Sequence, residues 1–179
     1  MFREAELQRY GERWTDMTFS DNDACVMPSA ADVPDDESLT SLFARATSIA
    51  VVGASPNPDR TSNQIAVWLM ENTPYEIFLV NPRGGDEDIL GHGFYDDLDS
   101  LPVIPDIVDV FRAPHHVPDV AVDAIKSGAG TLWLQLGIRH DPSALLARQA
   151  GMDVVQNHCI KVEYRRLAKR IEDARAIRA

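Results

Sequence analysis

The chain has 179 residues and a mass of 19.9 kDa, enough for one domain with a real core, and its 45% apolar content is that of a folded globular protein. Seventeen basic against 28 acidic side chains leave a net charge of −11, a surface that repels phosphodiester backbones and anionic lipid and argues against nucleic acid or membrane as partners. No run of 18 apolar residues and no basic-then-apolar leader is present, so neither a membrane span nor a signal peptide is expected. The two cysteines, Cys25 and Cys159, are too few for a disulfide framework and point to the cytoplasm.

Residues 1–36 read as an N-terminal extension: 1–16 place Phe2, Leu7, Tyr10 and Trp14 at near-helical spacing, and Ser20 to Asp23 and Pro28 to Asp36 read as loop. Residues 37–179 read as one Rossmann-like domain, and from residue 47 its pattern is regular. Glu37 to Ala46 predicts a helix, and Ile49 to Gly53 a short buried strand ending at glycine. Ser62 to Asn72 predicts a helix, and Glu76 to Val80 a second strand stopped by Asn81-Pro82. A loop with Gly84, Gly85 and Gly91 and an acidic turn lead to a third strand, Asp106 to Phe111. A helix from Val117 to Lys126, closed by Gly128, precedes a fourth strand, Thr131 to Leu136. A helix over Pro142 to Ala150, a fifth strand over Met152 to Gln156 and a basic helix from Ile160 to Ala179 complete the chain. Strand–helix alternation on this scale predicts an α/β doubly wound, Rossmann-like parallel sheet of about five strands with helices on both faces, because parallel strands need crossover connections.

Ligands of such sheets bind beyond the carboxyl ends of the strands. Residues 47–159 hold six Lys or Arg against fifteen Asp or Glu, and four of the six, Arg60, Arg83, Arg112 and Arg139, follow a strand end within seven residues. Concentrating cations there in an acidic domain predicts an anionic ligand with several phosphates. Of the four, Arg139, beside His140 and Asp141, is the one expected to pair with a surface aspartate instead.

The segment Gly53 to Asn63 is the phosphate-loop candidate: Gly53 permits a sharp turn, Ser55 and Ser62 offer hydroxyls, and Thr61 or Ser62 is placed to cap the following helix. It has one glycine where the dinucleotide fingerprint needs three, and it lacks the G-K-[ST] of a P-loop. After the second strand stands Asn81-Pro82-Arg83, neutral then cationic, where an NAD site puts an acidic residue on the ribose. That disfavours NAD and leaves NADP or another nucleotide with an extra ribose phosphate.

Five segments in order, Ala50 to Arg60, Val80 to Gly84, Val108 to Arg112, Leu132 to Arg139 and Val155 to Lys161, resemble the small CoA-binding proteins, whose fold is that of the nucleotide-binding domain of the succinyl-CoA synthetase α subunit. The resemblance spans about residues 38–167. It implies that Gly53, Ala54 and Ser55, with Arg60 and Ser62 nearby, take the CoA diphosphate. It further implies that Asn81, Pro82 and Arg83 meet the adenosine and its 3′-phosphate, and that Phe111, Arg112 and Ala113 flank the adenine. Gln135, Gly137 and Ile138 then lie along the pantetheine, and the Asn157-x-Cys159 motif ends the fifth strand on the same rim. A thiol there is either a buried apolar side chain or a redox partner of the pantetheine sulfur.

The expectation is a cytosolic single-domain protein, monomer or homodimer, that binds CoA or acyl-CoA without catalytic residues of its own. No histidine spacing suggests a metal site. An NADP-dependent oxidoreductase would want a Tyr-x-x-x-Lys pair, which no tyrosine here provides. A CoA-binding subunit of an acyl-CoA ligase would need a second chain to supply the phosphorylated histidine and the nucleotide grasp. Nineteen Asp to nine Glu, and fourteen Arg to three Lys, resemble the composition of proteins from salt-loving cytoplasm.

Overall fold

The computed structural model describes residues 34–178, so the expected helix over 1–16 and Cys25 lie outside the described residues. Helix α1 (Asp36–Arg45) starts where the Asp35 carboxylate accepts the Ser38 N–H at 2.8 Å, and acidic Asp36 and Glu37 occupy the first turn, where the helix dipole favours them. Then follow β1 (Ser48–Val52), α2 (Thr61–Asn72), β2 (Glu76–Val80), β3 (Asp88–Ile89), β4 (His92–Tyr95) and β5 (Ile107–Val110). After a short 3₁₀ turn at Pro114–His116 come α3 (Val117–Ser127), β6 (Thr131–Leu134), α4 (Asp141–Gln149), β7 (Asp153–Val155) and α5 (Ile160–Arg178).

The strands form one sheet in the order β3-β4-β2-β1-β5-β6-β7, parallel except for β3. The expected doubly wound sheet is present, with seven strands instead of five. The two additional strands are a hairpin within the glycine-rich stretch read as loop. Leu90 and Gly91 both have positive φ, 54° and 81°, the backbone of a two-residue turn whose twist suits a hairpin. Ile89 is the buried residue of the two-residue β3, too little apolar periodicity to register as a strand. The fourth strand also ends earlier than expected: Leu136 is 69% exposed, and Gln135 already belongs to the following turn.

Every residue of β1, β5 and β6 is buried, as expected when both faces of a strand are covered. On one face α1, α2 and α5 contribute Phe43, Leu69 and Leu167 to a core that includes the fully buried Trp133. On the other, α3 and α4 approach through Ala121, Ala124, Ala144 and Ala147. Small side chains let those helices lie close to Val108, Val110 and Leu132 beneath them. Beside the second sheet edge, β2 and β4 pair only at Leu79–Phe94 and Val80–Tyr95. Next to those pairs lies a cavity of about 350 Å³, lined by residues 76–78 and 91–95 and by none of the residues expected to bind ligand.

The amino end of the sheet is tied by one carboxylate. Asp106 accepts the N–H and hydroxyl groups of both Thr47 and Ser48, at 2.7 to 3.2 Å. Burial raises this carboxyl, but those four bonds outweigh it and hold the group below the usual carboxylate range.

Candidate functional site

The chain runs from β1 outward to β2 on one side and later returns to β5 on the other, so the carboxyl ends of β1 and β5 flank the switch point of the sheet. The loop leaving β1 crosses that point closely. Gly53 has φ +87°, and a Cβ there would lie 3.1 Å from the Phe111 carbonyl oxygen and 3.2 Å from Arg112 Cδ. Glycine meets both demands, the left-handed backbone and the close approach. Lacing continues across the strand ends: Gly53 N–H donates to Val80 O and Phe111 N–H to Val52 O, both at 2.8 Å.

The carbonyls of the β1 loop are occupied from two directions. Asn81, just past β2, donates its side-chain amide to Ala54 O at 2.7 Å and accepts the Arg83 N–H at 3.1 Å. Asn63, in the first turn of α2, donates to Ser55 O at 2.9 Å and Pro56 O at 3.2 Å. The N–H groups of Ala54 and Ser55 have no acceptor among the described residues. Ala54 is fully buried and Ser55 half-buried, so the Ser55 N–H is the donor this loop can offer an anion at the rim.

The four arginines divide as expected. Arg139 is ion-paired with Asp141 at 2.8 Å. Arg60 and Arg83 are exposed and Arg112 half-buried, and among the described residues these three pair with no carboxylate. The capping expectation for Thr61 or Ser62 fails. The helix begins one residue earlier, at Thr61, its cap position is Arg60, and no side chain caps it, while Ser62 is buried in the first turn.

Farther along the rim, two loops are joined into one surface. Gly137 N–H donates to Asn157 Oδ1 at 2.7 Å, Asn157 N–H to Ile138 O at 3.1 Å, and His140 N–H to Gln156 Oε1 at 2.9 Å. Asn157 takes φ +58°, a left-handed conformation that asparagine tolerates. The Gln135 side chain is 4% exposed and faces inward, with Nε2 2.9 and 3.0 Å from the two oxygens of Asp109. Asp109 is fully buried on β5, and burial pushes its carboxyl well above the usual range, offset only in part by the Gln135 amide. Cys159 is a half-buried free thiol at the edge of the Trp133 core. Ala113 and Pro82 are exposed, Phe111 and Ile138 half-buried, all at strand ends of this rim.

Asn63 and Asp109 were not singled out in the sequence. Asn63 sits on a predicted helix and signals nothing until the helix is folded against the loop it holds. Asp109 was legible as an anomaly, an acidic residue within an otherwise apolar strand, but its partner is 26 residues away.

A parallel sheet whose switch point carries a free N–H donor and, among the described residues, arginines without a carboxylate partner defines a Rossmann-like nucleotide-binding domain. Residues 47–165 match the family model described as CoA binding domain, and the chain belongs to that family. It is 32% identical over 131 residues to YneT, an uncharacterised protein of Bacillus subtilis (strain 168), covering 73% of this chain and 95% of that one. A Thermus thermophilus structure known as cell-free ID.343 superposes with a TM-score of 0.71 at 34% identity, covering 75% of this chain and 99% of the other. The fold is also shared with the dinucleotide-forming acetyl-coenzyme A synthetase 1 of Ca. Korarchaeum cryptofilum, at TM-score 0.58 and 23% identity, over 66% of this chain and 27% of that one. No helix among the described residues is long and apolar enough to cross a membrane.

Proposed function

We propose that this protein binds coenzyme A or an acyl-CoA at the carboxyl rim, in the cytoplasm, with no catalytic residues of its own. The observation that carries the reading is the set of arginines without a carboxylate partner among the described residues, Arg60, Arg83 and Arg112, at the rim that also carries the free Ser55 N–H, in a chain of net charge −11. CoA brings a diphosphate and a ribose 3′-phosphate, and this rim offers separate cations for each. In this reading Gly53, Ala54, Ser55, Arg60 and Ser62 surround the diphosphate, Pro82 and Arg83 the ribose phosphate, and Phe111, Arg112 and Ala113 the adenine. Gly137 and Ile138 line the pantetheine, Asn157 shaping that turn from behind. Gln135, its side chain committed to Asp109, offers its backbone there.

Calorimetry with CoA, acetyl-CoA, NADPH and NADH on protein freed of ligand tests this directly. CoA is expected to bind and NADH not to; NADPH binding without CoA binding refutes the proposal. Arg83→Ala is expected to weaken CoA about tenfold more than 3′-dephospho-CoA, the worth of one charge-assisted contact. Equal losses would place Arg83 away from that phosphate. Cys159, at the same rim, is proposed as the thiol that meets the pantetheine sulfur. Treatment with oxidised CoA followed by intact-mass measurement should show one adduct, lost in Cys159→Ser, and an unmodified mass removes that role.

A further inference from the structure

A trans peptide points its C=O and the next residue's N–H in opposite directions. Asn81 stands at the end of β2, and its amide draws Ala54 O to that side of β1. The Ser55 N–H, in the same peptide plane, is thereby aimed the other way, away from Asn81. Asn63 fixes the next two planes from beneath by taking both Ser55 O and Pro56 O. The first of those planes has no N–H, because its nitrogen belongs to Pro56. The Asn57 N–H, in the second plane, turns back onto Ser55 Oγ at 3.3 Å. Three consecutive carbonyls are thus tied to protein, and the donor left for a ligand is the Ser55 N–H, Ala54 being fully buried.

Both amides are engaged on the protein, each nitrogen holding carbonyls of this loop. Asn63 is 93% buried, at 7% exposure, and its one amide nitrogen serves two carbonyls. Asn81 uses its nitrogen on Ala54 and its oxygen on Arg83, so it also sets the turn that carries the arginine. Its backbone is committed too: the Asn81 N–H donates to Tyr95 O, and its carbonyl accepts the Gly84 N–H, both at 2.9 Å.

We propose that Asn63 and Asn81 are positioning residues that hold the 54–56 loop with its carbonyls averted and the Ser55 N–H presented to a diphosphate. This rests on the proposed site but reassigns Asn81, from a contact of adenosine to a strut behind the phosphate loop. A loop free to rotate would turn lone pairs toward the anion for part of the time, and affinity would fall by the fraction of competent loops.

The test uses the full chain, with CoA, 3′-dephospho-CoA and inorganic pyrophosphate as probes. Asn63→Ala is expected to weaken CoA and 3′-dephospho-CoA by the same factor, about tenfold, the value of a lost hydrogen bond to a charged group. Asn63→Ala and Asn81→Ala should both weaken pyrophosphate as a competitor of CoA. The salt dependence of CoA binding should keep its slope in both, because no charge has been removed. Pyrophosphate competition unchanged in both variants overturns the proposal. So does a loss in Asn81→Ala that spares pyrophosphate, which would return Asn81 to the adenosine. If either variant folds poorly, the wild type still decides by NMR: the Ser55 amide signal must shift on adding pyrophosphate, and no shift refutes the strut. A wild type that binds NADPH and not CoA ends the CoA reading alone, provided the same variants weaken NADPH. Unaltered NADPH affinity, or a wild type that binds neither nucleotide, ends both.

Discussion

Asp109 shows how a single buried carboxyl can cost stability in order to shape a neighbour. Among the described residues it has one hydrogen-bonding side chain, Gln135, and no cation. Its folded-state affinity for a proton exceeds that of the unfolded chain, so the native state holds a proton that the unfolded state has released. Stability therefore falls as pH rises above the ordinary aspartate range and continues to fall until the folded carboxyl ionises. Asn at this position removes the titration while retaining an amide partner for Gln135 once that side chain rotates. Asp109→Asn should accordingly gain stability over the wild type, with the gain larger at pH 7 than at pH 4, read as the urea midpoint at each pH. Parallel midpoints across that range would mean that the carboxyl is not titrating abnormally. The raised group lies two residues before Phe111 at the rim, so the same cost helps keep the Gln135 turn in place for a ligand.

Among the elements, α1 and α5 meet through two kinds of contact that differ in worth. At the start of α1, Asp36 pairs with Arg166 at 2.6 Å and with Arg170 at 3.3 Å, all three side chains roughly half exposed. Pairs in such surroundings contribute about 0–1 kcal/mol. At the other end, Arg175 of α5 donates to Ala46 O and, at 3.3 Å, to Phe43 O, and stacks 4.9 Å from the centre of the Tyr75 ring. Tyr75 OH donates to that same Phe43 carbonyl at 2.7 Å. Arg175 thus supplies the donors that the terminal carbonyls of α1 lack. Arg175→Ala should cost about 2 kcal/mol, from charged hydrogen bonds and the ring contact together, whereas Asp36→Ala should cost under about 1 kcal/mol. Chemical unfolding of both variants checks the order, and a larger loss for Asp36 would reverse the assignment. The basic character of α5 is explained in part by these contacts, since three of its cations serve α1 and need no outside partner.

For the molecule as a whole, the charge of −11 has two consequences of opposite sign. The acidic surface repels itself, and salt relieves that repulsion. We propose that the Asp-rich, Lys-poor surface suits a salt-rich cytoplasm. Its thermal midpoint should rise by several degrees between about 0.1 M and about 2 M KCl, where the screening length falls from roughly 10 Å to a few ångströms. CoA affinity should fall over the same range, because screening weakens the arginine–phosphate attraction. A midpoint unchanged or lowered by salt would remove the adaptation and leave an ordinary acidic protein.

The layered fold was legible in the chain because it depends on local signals: short apolar runs, helical periodicity, and punctuation such as Asn81-Pro82 and Gly128. β2 matches its predicted span to the residue, since a Pro following a buried run leaves the strand no room to continue. The hairpin of β3 and β4 was not legible. Two residues of strand carry no periodicity, and β4 becomes a strand by lying beside Leu79 and Val80. Of the rim, the arginines and Gly53 could be read because charge and the absence of a side chain are properties of a residue alone. Asn63 and the pairing of Asp109 with Gln135 could not, because they are properties of two segments brought together.

By itself, then, the sequence determined the class of sheet, the edge at which cations gather and the resemblance to CoA-binding proteins. The tertiary structure decided which arginines remain unpaired, that Gln135 faces inward, and that two asparagines hold the loop between them. The physical reason is range. Strand and helix patterning is written in neighbours a few residues apart, whereas the Asn81–Ala54 bond joins residues 27 positions apart and the Gln135–Asp109 pair 26. Such bonds of about 3 Å exist only after the sheet has set its register.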